Sequence, residues 1–320
     1  LIILKRTKSF SHLALESLFR RLKTNDPTKY KNYRDEYIKL NVGYEGELQA
    51  DREWDELEIP VNYSLLHNYE TLSDIGRSHQ MDTVFLCQHF IWIIDIKNFS
   101  GILMFDEDKS QFLRKDFEGD INGYYNPVDQ IERHARFINR LFKKWGINLP
   151  VEVAVIIVKD STIIQNAPKF VPVFHLSGLQ SKLNKLFQKH PNPYITDFQY
   201  NEIKKRLLVG LKRKIWRPSV DSRDIARGVL CRNCNYRTAM EFKHGTFICP
   251  LCNRKSKNAF LEAIYDYKYL FSNSFTNSEI REFLNIKSIY STTRLLTRLN
   301  FETSGSYRNR KYKIPDEIRK

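Results

Sequence analysis

The stretch IWIIDIKNFSG, residues 91–101, places an acid and a base inside an otherwise apolar run. Ile91, Trp92, Ile93, Ile94 and Ile96 read as a strand buried on both faces. A charge buried there is costly unless it is paired or binds a metal. Asp95 and Lys97 stand two residues apart, so they share one face. A second strand, Gln80–Leu86, precedes it, and on it Gln80 and Asp82 share a face in the same way. If the turn centres between Gln88 and His89, opposite residues sum to 177. Asp82 then faces Asp95, and Gln80 faces Lys97. Like charges directly opposed destabilise a sheet. A divalent cation removes that penalty, because hard cations bind carboxylate oxygens. A turn shifted by one residue would separate the two acids, and a strand end open to water would also resolve the pair. The residues alone leave both readings open.

A second constellation lies far downstream. CRNC (231–234) and CPLC (249–252) are two close cysteine pairs that can set four thiolates around one Zn²⁺. Cys231, Cys234, Cys249 and Cys252 would close its coordination shell, which makes the zinc structural. Tyr236, Phe242 and Phe247 between the pairs fit a small ribbon of strands, and the fragment resembles the zinc ribbon of topoisomerase-like and transcription proteins. Cys87, beside the expected turn, has no positioned base partner and is expected to be a buried or semi-buried thiol and not a nucleophile. His67, His79 and His89 are expected on the surface or in turns and not as ligands.

The elements that must position these residues alternate between strand and helix, which indicates α/β or α+β. Phe10, Leu13, Leu15, Leu18, Phe19 and Leu22 recur near helical spacing, and TNDPT (24–28) ends that pattern. A helix is expected after Gly46, a short strand over 63–69 and a loop over 71–78. Further strands are expected in 101–117, with a polar turn at Asp106–Lys109. Asn126 before Pro127 starts a helix reaching about Gly146. Residues 151–158 and 171–176 read as strands. Beyond residue 200 comes a basic helix and connector.

In the last segment Thr276 and Glu279 fit a capping box. Two short helices follow, with LNIKS (284–288) as the turn between them. Phe301–Ile314 then reads as two strands around Ser304-Gly305-Ser306. This resembles a winged helix-turn-helix. Arg294 and Arg298 would lie on its recognition helix, and Arg308, Arg310 and Lys311 on a basic wing able to reach phosphates.

GYEGE (43–47), HQMDTVFL (79–86), IWIIDIKNFSG (91–101) and NPVDQ (126–130) follow one another in the order of a known pattern. Together they resemble the NERD, or nuclease-related, domain of the PD-(D/E)xK restriction-endonuclease-like superfamily, over roughly residues 40–160. The resemblance implies an α/β fold: a restriction-endonuclease-like mixed sheet flanked by helices, here followed by a zinc ribbon and a small winged helix-turn-helix domain. It implies that Asp82 and Asp95 bind Mg²⁺ or Mn²⁺. Lys97 would orient the attacking water and stabilise charge on the phosphate. Glu47 would complete the site, Gln80 would support it, and Gln130 would act from behind it. The family admits Glu or Asp before x-Lys, and this chain has the shorter Asp95.

The expected organisation is a basic helical segment (1–40), the NERD domain (41–200), a basic helix and linker (201–228), the zinc ribbon (229–257) and the winged-helix module (258–320). Charge follows the same division. Residues 1–200 hold 26 basic and 26 acidic side chains, whereas 201–320 hold 26 and 11, so the whole net charge of +15 lies in the last 120 residues. That asymmetry points to a polyanion, most often nucleic acid. No run approaches 18 apolar residues, so no membrane span is expected. LIIL followed by Lys5 and Arg6 is too short for a signal peptide, and a cytoplasmic, bacterial protein is expected. The reading is a metal-dependent nuclease that cuts DNA with its first half and holds it with its second. The alternatives are an inactive DNA-binding regulator or adaptor and an RNA-directed nuclease.

Overall fold

The structure is a computed structural model that describes residues 1–23 and 28–316; the side chain of Arg308 also lies outside the described residues. Most of the expected break at 24–28 therefore lies outside them. The chain begins with β1 (Ile2–Leu4), α1 (Phe10–Arg21) and α2 (Lys31–Glu53). Then come β2 (Tyr63–Leu72), β3 (Ser78–Cys87), β4 (Ile91–Lys97), β5 (Ile102–Asp106), β6 (Gln111–Lys115), β7 (Ile121–Tyr124) and α3 (Pro127–Trp145). The series β8 (Val151–Ile157), β9 (Ile163–Gln165), β10 (Val173–His175), α4 (Leu179–Lys189) and α5 (Asp197–Val209) follows. The chain divides into two compact units: Leu1–Ser9 with Ile38–Lys214, and Phe10–Tyr37 with Ile215–Lys320.

The first unit is built on a mixed six-stranded sheet of order β1-β2-β3-β4-β8-β10. β2, β3 and β4 pair antiparallel, while β1 joins β2, and β8 joins β4 and β10, in parallel. Alternate residues of β4 feed two cores. Ile91 and Ile93 pack with Ile131, Ile138 and Phe142 of α3 and with Ile203 and Leu207 of α5. Trp92, Ile94 and Ile96 pack with Ala50 of α2, Trp54, and Leu179 and Leu183 of α4. A strand sandwiched this way is apolar on both faces, which is why β4 carries so few polar residues. A second sheet, β7-β6-β5-β9, completes the unit.

The start of α3 is as the sequence anticipates: Asn126 caps the helix by accepting from the N–H of Val128, and Gly146 ends it at φ 67°. The expected loop at 71–78 shrinks to a turn, because β2 runs to Leu72 and β3 begins at Ser78. The helix expected after Gly46 begins at Lys31, so GYEGE lies inside α2. Gly46 is there for close approach. A Cβ on it would sit 2.6 Å from Cβ of Asn98, the residue after Lys97. The Asn98 amide in turn donates to the Val42 carbonyl at 2.7 Å.

In the second unit Asp266 is fully buried and accepts from Arg20 Nη1 at 2.7 Å and Arg21 Nε at 2.6 Å. Arg21 also donates to the carbonyls of Ala226 and Gly228. These arginines of the "basic segment" are thus internal ties of α1, not free surface charge. β11 (Val229–Leu230), β12 (Ala239–Lys243), β13 (Thr246–Ile248) and β14 (Lys255–Ser256) form an antiparallel curled sheet. After α6 (Phe260–Leu270) come β15 (Ser274–Thr276), α7 (Asn277–Phe283), α8 (Ile289–Thr297), β16 (Thr303–Ser304) and β17 (Lys311–Lys313). Their strands form a sheet of order β15-β17-β16. The capping box at Thr276 and Glu279 is present. The strand β15 was not anticipated, and a helical turn at Tyr307–Asn309 lengthens the connection between the last two strands. Among the described residues no helix is long and apolar enough to cross a membrane.

Gly46→Ala is expected to destabilise the first unit by about 1–3 kcal/mol, because the Cβ of Asn98 cannot swing aside. Gly43→Ala, with nothing within 4 Å of its added Cβ, should be neutral or gain up to about 1 kcal/mol of helix stability. Guanidinium unfolding read by tryptophan fluorescence separates them, and equal effects would contradict the packing.

Candidate functional site

Pairing of β3 with β4 runs from Leu86–Ile91 to Thr83–Ile94, in the register that opposes residues summing to 177. It stops there. Beyond that point the Asp82 carboxylate takes the place of a strand partner: its Oδ2 accepts the Ile96 N–H at 2.8 Å. On the neighbouring strand, pairing of β2 with β3 skips Asn68 and Asp82, and Asn68 adopts φ 52°. β4 meanwhile continues beside β8 as far as Lys97. The strands part at the two acids.

Asp95 is 3% exposed. Lys97 Nζ lies 2.8 Å from its Oδ2, yet outside hydrogen-bond geometry, so this buried oxygen has a counter-charge without an aligned donor. Burial, and then the neighbouring Asp82, push the Asp95 carboxyl up to about 7 against the pull of Lys97. Burial works against the Lys97 charge, but Asp95, Asp82 and Glu47 hold its pKa above the usual lysine value. Gln130 Oε1 accepts from Lys97 Nζ at 3.5 Å, which brings α3 to the site. Glu47 reaches it from α2. Burial and the Asp82 charge push Glu47 up to about 8, with Arg6 opposing.

Arg6, just past the end of β1, is the residue that sequence reasoning missed. Its side chain is 2% exposed. It donates to Glu47 Oε2 at 2.6 Å, to both Asp51 oxygens at 2.7 and 2.8 Å, to the Asp82 carbonyl at 2.8 Å and to Thr83 Oγ1 at 3.0 Å. Burial opposes its charge, but Asp51 and Glu47 more than hold it. His67 joins this network, 3.0 Å from Asp51 Oδ1 and 3.2 Å from Thr83 Oγ1. His67 and His79 are buried, contrary to their expected place on the surface or in turns; His89 is partly buried and meets the His190 carbonyl. Nothing in the local sequence marks Arg6. Asp51, one helical turn after Glu47, was legible as a neighbour on the same face of α2.

The expected Gln80–Lys97 opposition is not made. Pairing ends before it reaches them, and the Gln80 amide donates instead to Asn68 Oδ1 at 2.8 Å. Cys87 is fully buried, with its thiol pushed up to about 11 by burial. The site therefore unites Glu47, Asp82, Asp95, Lys97 and Gln130, with Gln80 at its edge.

The donor set fits a hard divalent cation such as Mg²⁺ or Mn²⁺: carboxylate oxygens, one of them buried and without an aligned donor. Glu47 is drawn toward Arg6 and must turn to share an ion with the two aspartates. Among the described residues only the four cysteines bring three or more ligand atoms within 4.8 Å of one another. Their Sγ atoms pair at 3.7 Å, Cys231 with Cys252 and Cys234 with Cys249, close to the ~3.8 Å edge of a sulfur tetrahedron with Zn–S bonds of about 2.3 Å. Each pair is followed by an asparagine in the left-handed region, Asn235 at φ 48° and Asn253 at φ 57°. The cluster is consistent with a zinc ribbon.

Residues 42–158 match the family model of the NERD, or nuclease-related, domain. No curated protein matches the chain. The NERD segment holds Glu47, Asp82, Asp95, Lys97 and Gln130, whereas Arg6 lies outside it. A nuclease-related domain implies a nucleic-acid substrate in general. Of the basic residues singled out in the second unit, Arg294, Arg298, Arg310 and Lys311 are exposed, and Arg308 has no described side chain. Arg294 and Arg298 stand one turn apart on one helix face.

Replacing Arg6 by Met removes a buried cationic side chain and leaves the half-buried Asp51 and Glu47 without their partner. It is expected to cost about 3–5 kcal/mol in unfolding experiments, and a loss under about 1 kcal/mol would show the pair to be incidental. The raised carboxyls give a pH signature. Folded Asp95 and Glu47 keep protons that the unfolded chain releases, so their contribution is present at low pH and is lost as pH rises through about 7 and 8. His79 and His134, lowered by burial to about 4 and about 3, act the other way, but only below the ordinary histidine range. In buffer freed of Mg²⁺ and Mn²⁺, the melting temperature of the first unit should therefore fall between about pH 6.5 and 8.5. Glu47→Gln should flatten the upper part of that fall, and a rise over the window would contradict the assignment.

Proposed function

We propose that this chain is a metal-dependent nuclease that hydrolyses phosphodiester bonds of DNA at Asp82, Asp95 and Lys97. The observation that carries the reading is the buried Asp95 carboxylate, set beside Asp82 where two strands part, with an ammonium group 2.8 Å away. Mg²⁺ or Mn²⁺ bound on Asp82 and Asp95, with Glu47 as a further contact, would supply an activated water and neutralise charge at the phosphate. The rest falls to the chain. Lys97 Nζ, steered by Gln130, donates to the phosphate oxygen on which negative charge grows. Asp82, fixed by the Ile96 N–H, holds its carboxylate at the mouth of the split. Gln80 braces β3 through Asn68. The role of Gln130 is to aim Lys97.

In the second unit, the four-cysteine ribbon (229–257) would be a structural zinc module. The β15–α7–α8–β16–β17 order supports a winged helix-turn-helix, with Arg294 and Arg298 toward a groove and Arg310 and Lys311 on the wing. Four exposed cations without an acidic partner among the described residues suit phosphate contact, and their binding should weaken steeply with salt.

A second reading has one specific observation in its favour. Arg6 pairs with Glu47, and Lys97 with Asp95, without any metal. A nuclease-like core stabilised in that state would serve a DNA-binding regulator.

The deciding experiment incubates the full chain with single-stranded DNA, duplex DNA and RNA in Mg²⁺ or Mn²⁺. DNA cleavage abolished by chelation, and reduced at least about 100-fold in Asp95→Asn and Lys97→Met with binding retained, is the expected result. Cleavage of RNA alone would move the assignment to a ribonuclease. Cleavage untouched by either substitution, or tight binding with no cleavage in any metal, would overturn it, the latter in favour of the regulator.

A further inference from the structure

Gln130 lies on a stripe of α3 that continues through Arg133, Phe137, Arg140 and Lys144. At a rise of 1.5 Å per residue, that stripe runs about 21 Å away from Lys97. Along it, within the first unit, lies a cavity of about 620 Å³. Six cations line it, Arg77, Arg133, Arg136, Arg140, Lys144 and Arg206, against a single carboxylate, Asp74. Arg136 meets Glu132 at 3.3 Å and Arg206 meets Glu202 at 4.0 Å, both near the surface. The other four have no acidic partner among the described residues. Arg133 Nε is buried and has no hydrogen-bond partner.

Such crowding is unfavourable unless an anion relieves it. Five of the six cations lie within residues 1–200, whose charges sum to zero, so the charge has been gathered into one concavity. The pocket also offers aromatic surface. Trp145 is the partly exposed ring of its wall, with the Arg206 guanidinium 5.5 Å from the ring centroid, while Phe137 and Tyr69 are buried behind it. At the inner wall, burial and then the charges of Arg133 and Arg140 push His79 down to about 4, so that wall is an uncharged imidazole stacked on Phe137. A cationic rim beside a partly exposed ring is an arrangement that takes a phosphate chain on the rim with a base against Trp145.

We propose that this cavity binds a stretch of single-stranded nucleic acid, leading the substrate strand along α3 to the Asp82–Asp95–Lys97 site. The choice of nucleic acid over other polyanions rests on the nuclease reading. It gives the NERD unit its own hold on the substrate, apart from the basic second unit.

The test measures binding alone, so that it stands whether or not the chain cleaves. The full chain carrying Asp95→Asn is titrated with a labelled single-stranded DNA of about 20 nucleotides, with and without Arg140→Gln and Lys144→Gln. Both side chains are exposed, and unchanged thermal unfolding verifies that the double variant folds. With two phosphate-binding cations removed, the slope of log affinity against log salt should become shallower by about 1.4, and affinity at about 0.1 M salt should fall about tenfold or more. Affinity and slope both unchanged would overturn the proposal, even if the enzyme proves to be a nuclease. A competition arm uses inorganic phosphate and deoxyadenosine monophosphate. Weak displacement at millimolar concentration is expected. A mononucleotide that matches the oligonucleotide in affinity, and loses it in the same double variant, would overturn the strand reading in favour of a free-nucleotide pocket.

Discussion

Asp82 accepts the backbone N–H of Ile96, and this bond opens the sheet between β3 and β4. Had the ladder continued, the carboxylates of Asp82 and Asp95 would have faced each other across a closed pair of strands. With the ladder ended at Thr83–Ile94, the Asp82 side chain replaces a strand partner. The bond satisfies a buried donor and leaves like charges close together, a combination that is unfavourable without a cation.

Cations reach the acids from two directions. Lys97, on the same strand as Asp95, supplies one. Arg6 supplies the other from the N-terminal strand, holding Glu47 and Asp51 of α2 while gripping the Asp82 carbonyl. β1 thus serves as a strut that fixes α2 against β3. On the far side, Gly46 lets α2 come within touching distance of Asn98. The two contacts set where Glu47 can stand, and both act on the helix that carries it. Glu47 is held by Arg6, and would have to leave it to share the proposed ion.

Much of this was readable from residue order. The start of α3 followed from Asn126 and Pro127 and the cysteine cluster from its spacing, whereas the β3–β4 register was one of two readings the residues left open, and the structure has the one centred between Gln88 and His89. The NERD motifs marked Glu47, Asp82, Asp95 and Lys97 as neighbours. The parts that escaped are those set by long-range contact. Arg6 carries no local signal, because its importance comes from residues 41 to 77 positions away. Gln80 was set opposite Lys97 by extending a ladder that the Asp82 side chain interrupts. His67 and His79 were placed outside because composition does not reveal which face of a strand a second layer will cover. The basic stripe of α3 was hidden in a half of the chain whose charges sum to zero, since a sum says nothing about their arrangement in space.

The proposed convergence of Glu47, Asp82 and Asp95 on one divalent ion is open to direct observation in crystals grown with Mn²⁺ and measured at its absorption edge. One anomalous peak is expected within about 2.0–2.3 Å of oxygens from both Asp82 and Asp95, with Glu47 turned from Arg6 toward it. An absent peak, or manganese found only elsewhere while Lys97 and Arg6 keep their carboxylates, would contradict that convergence.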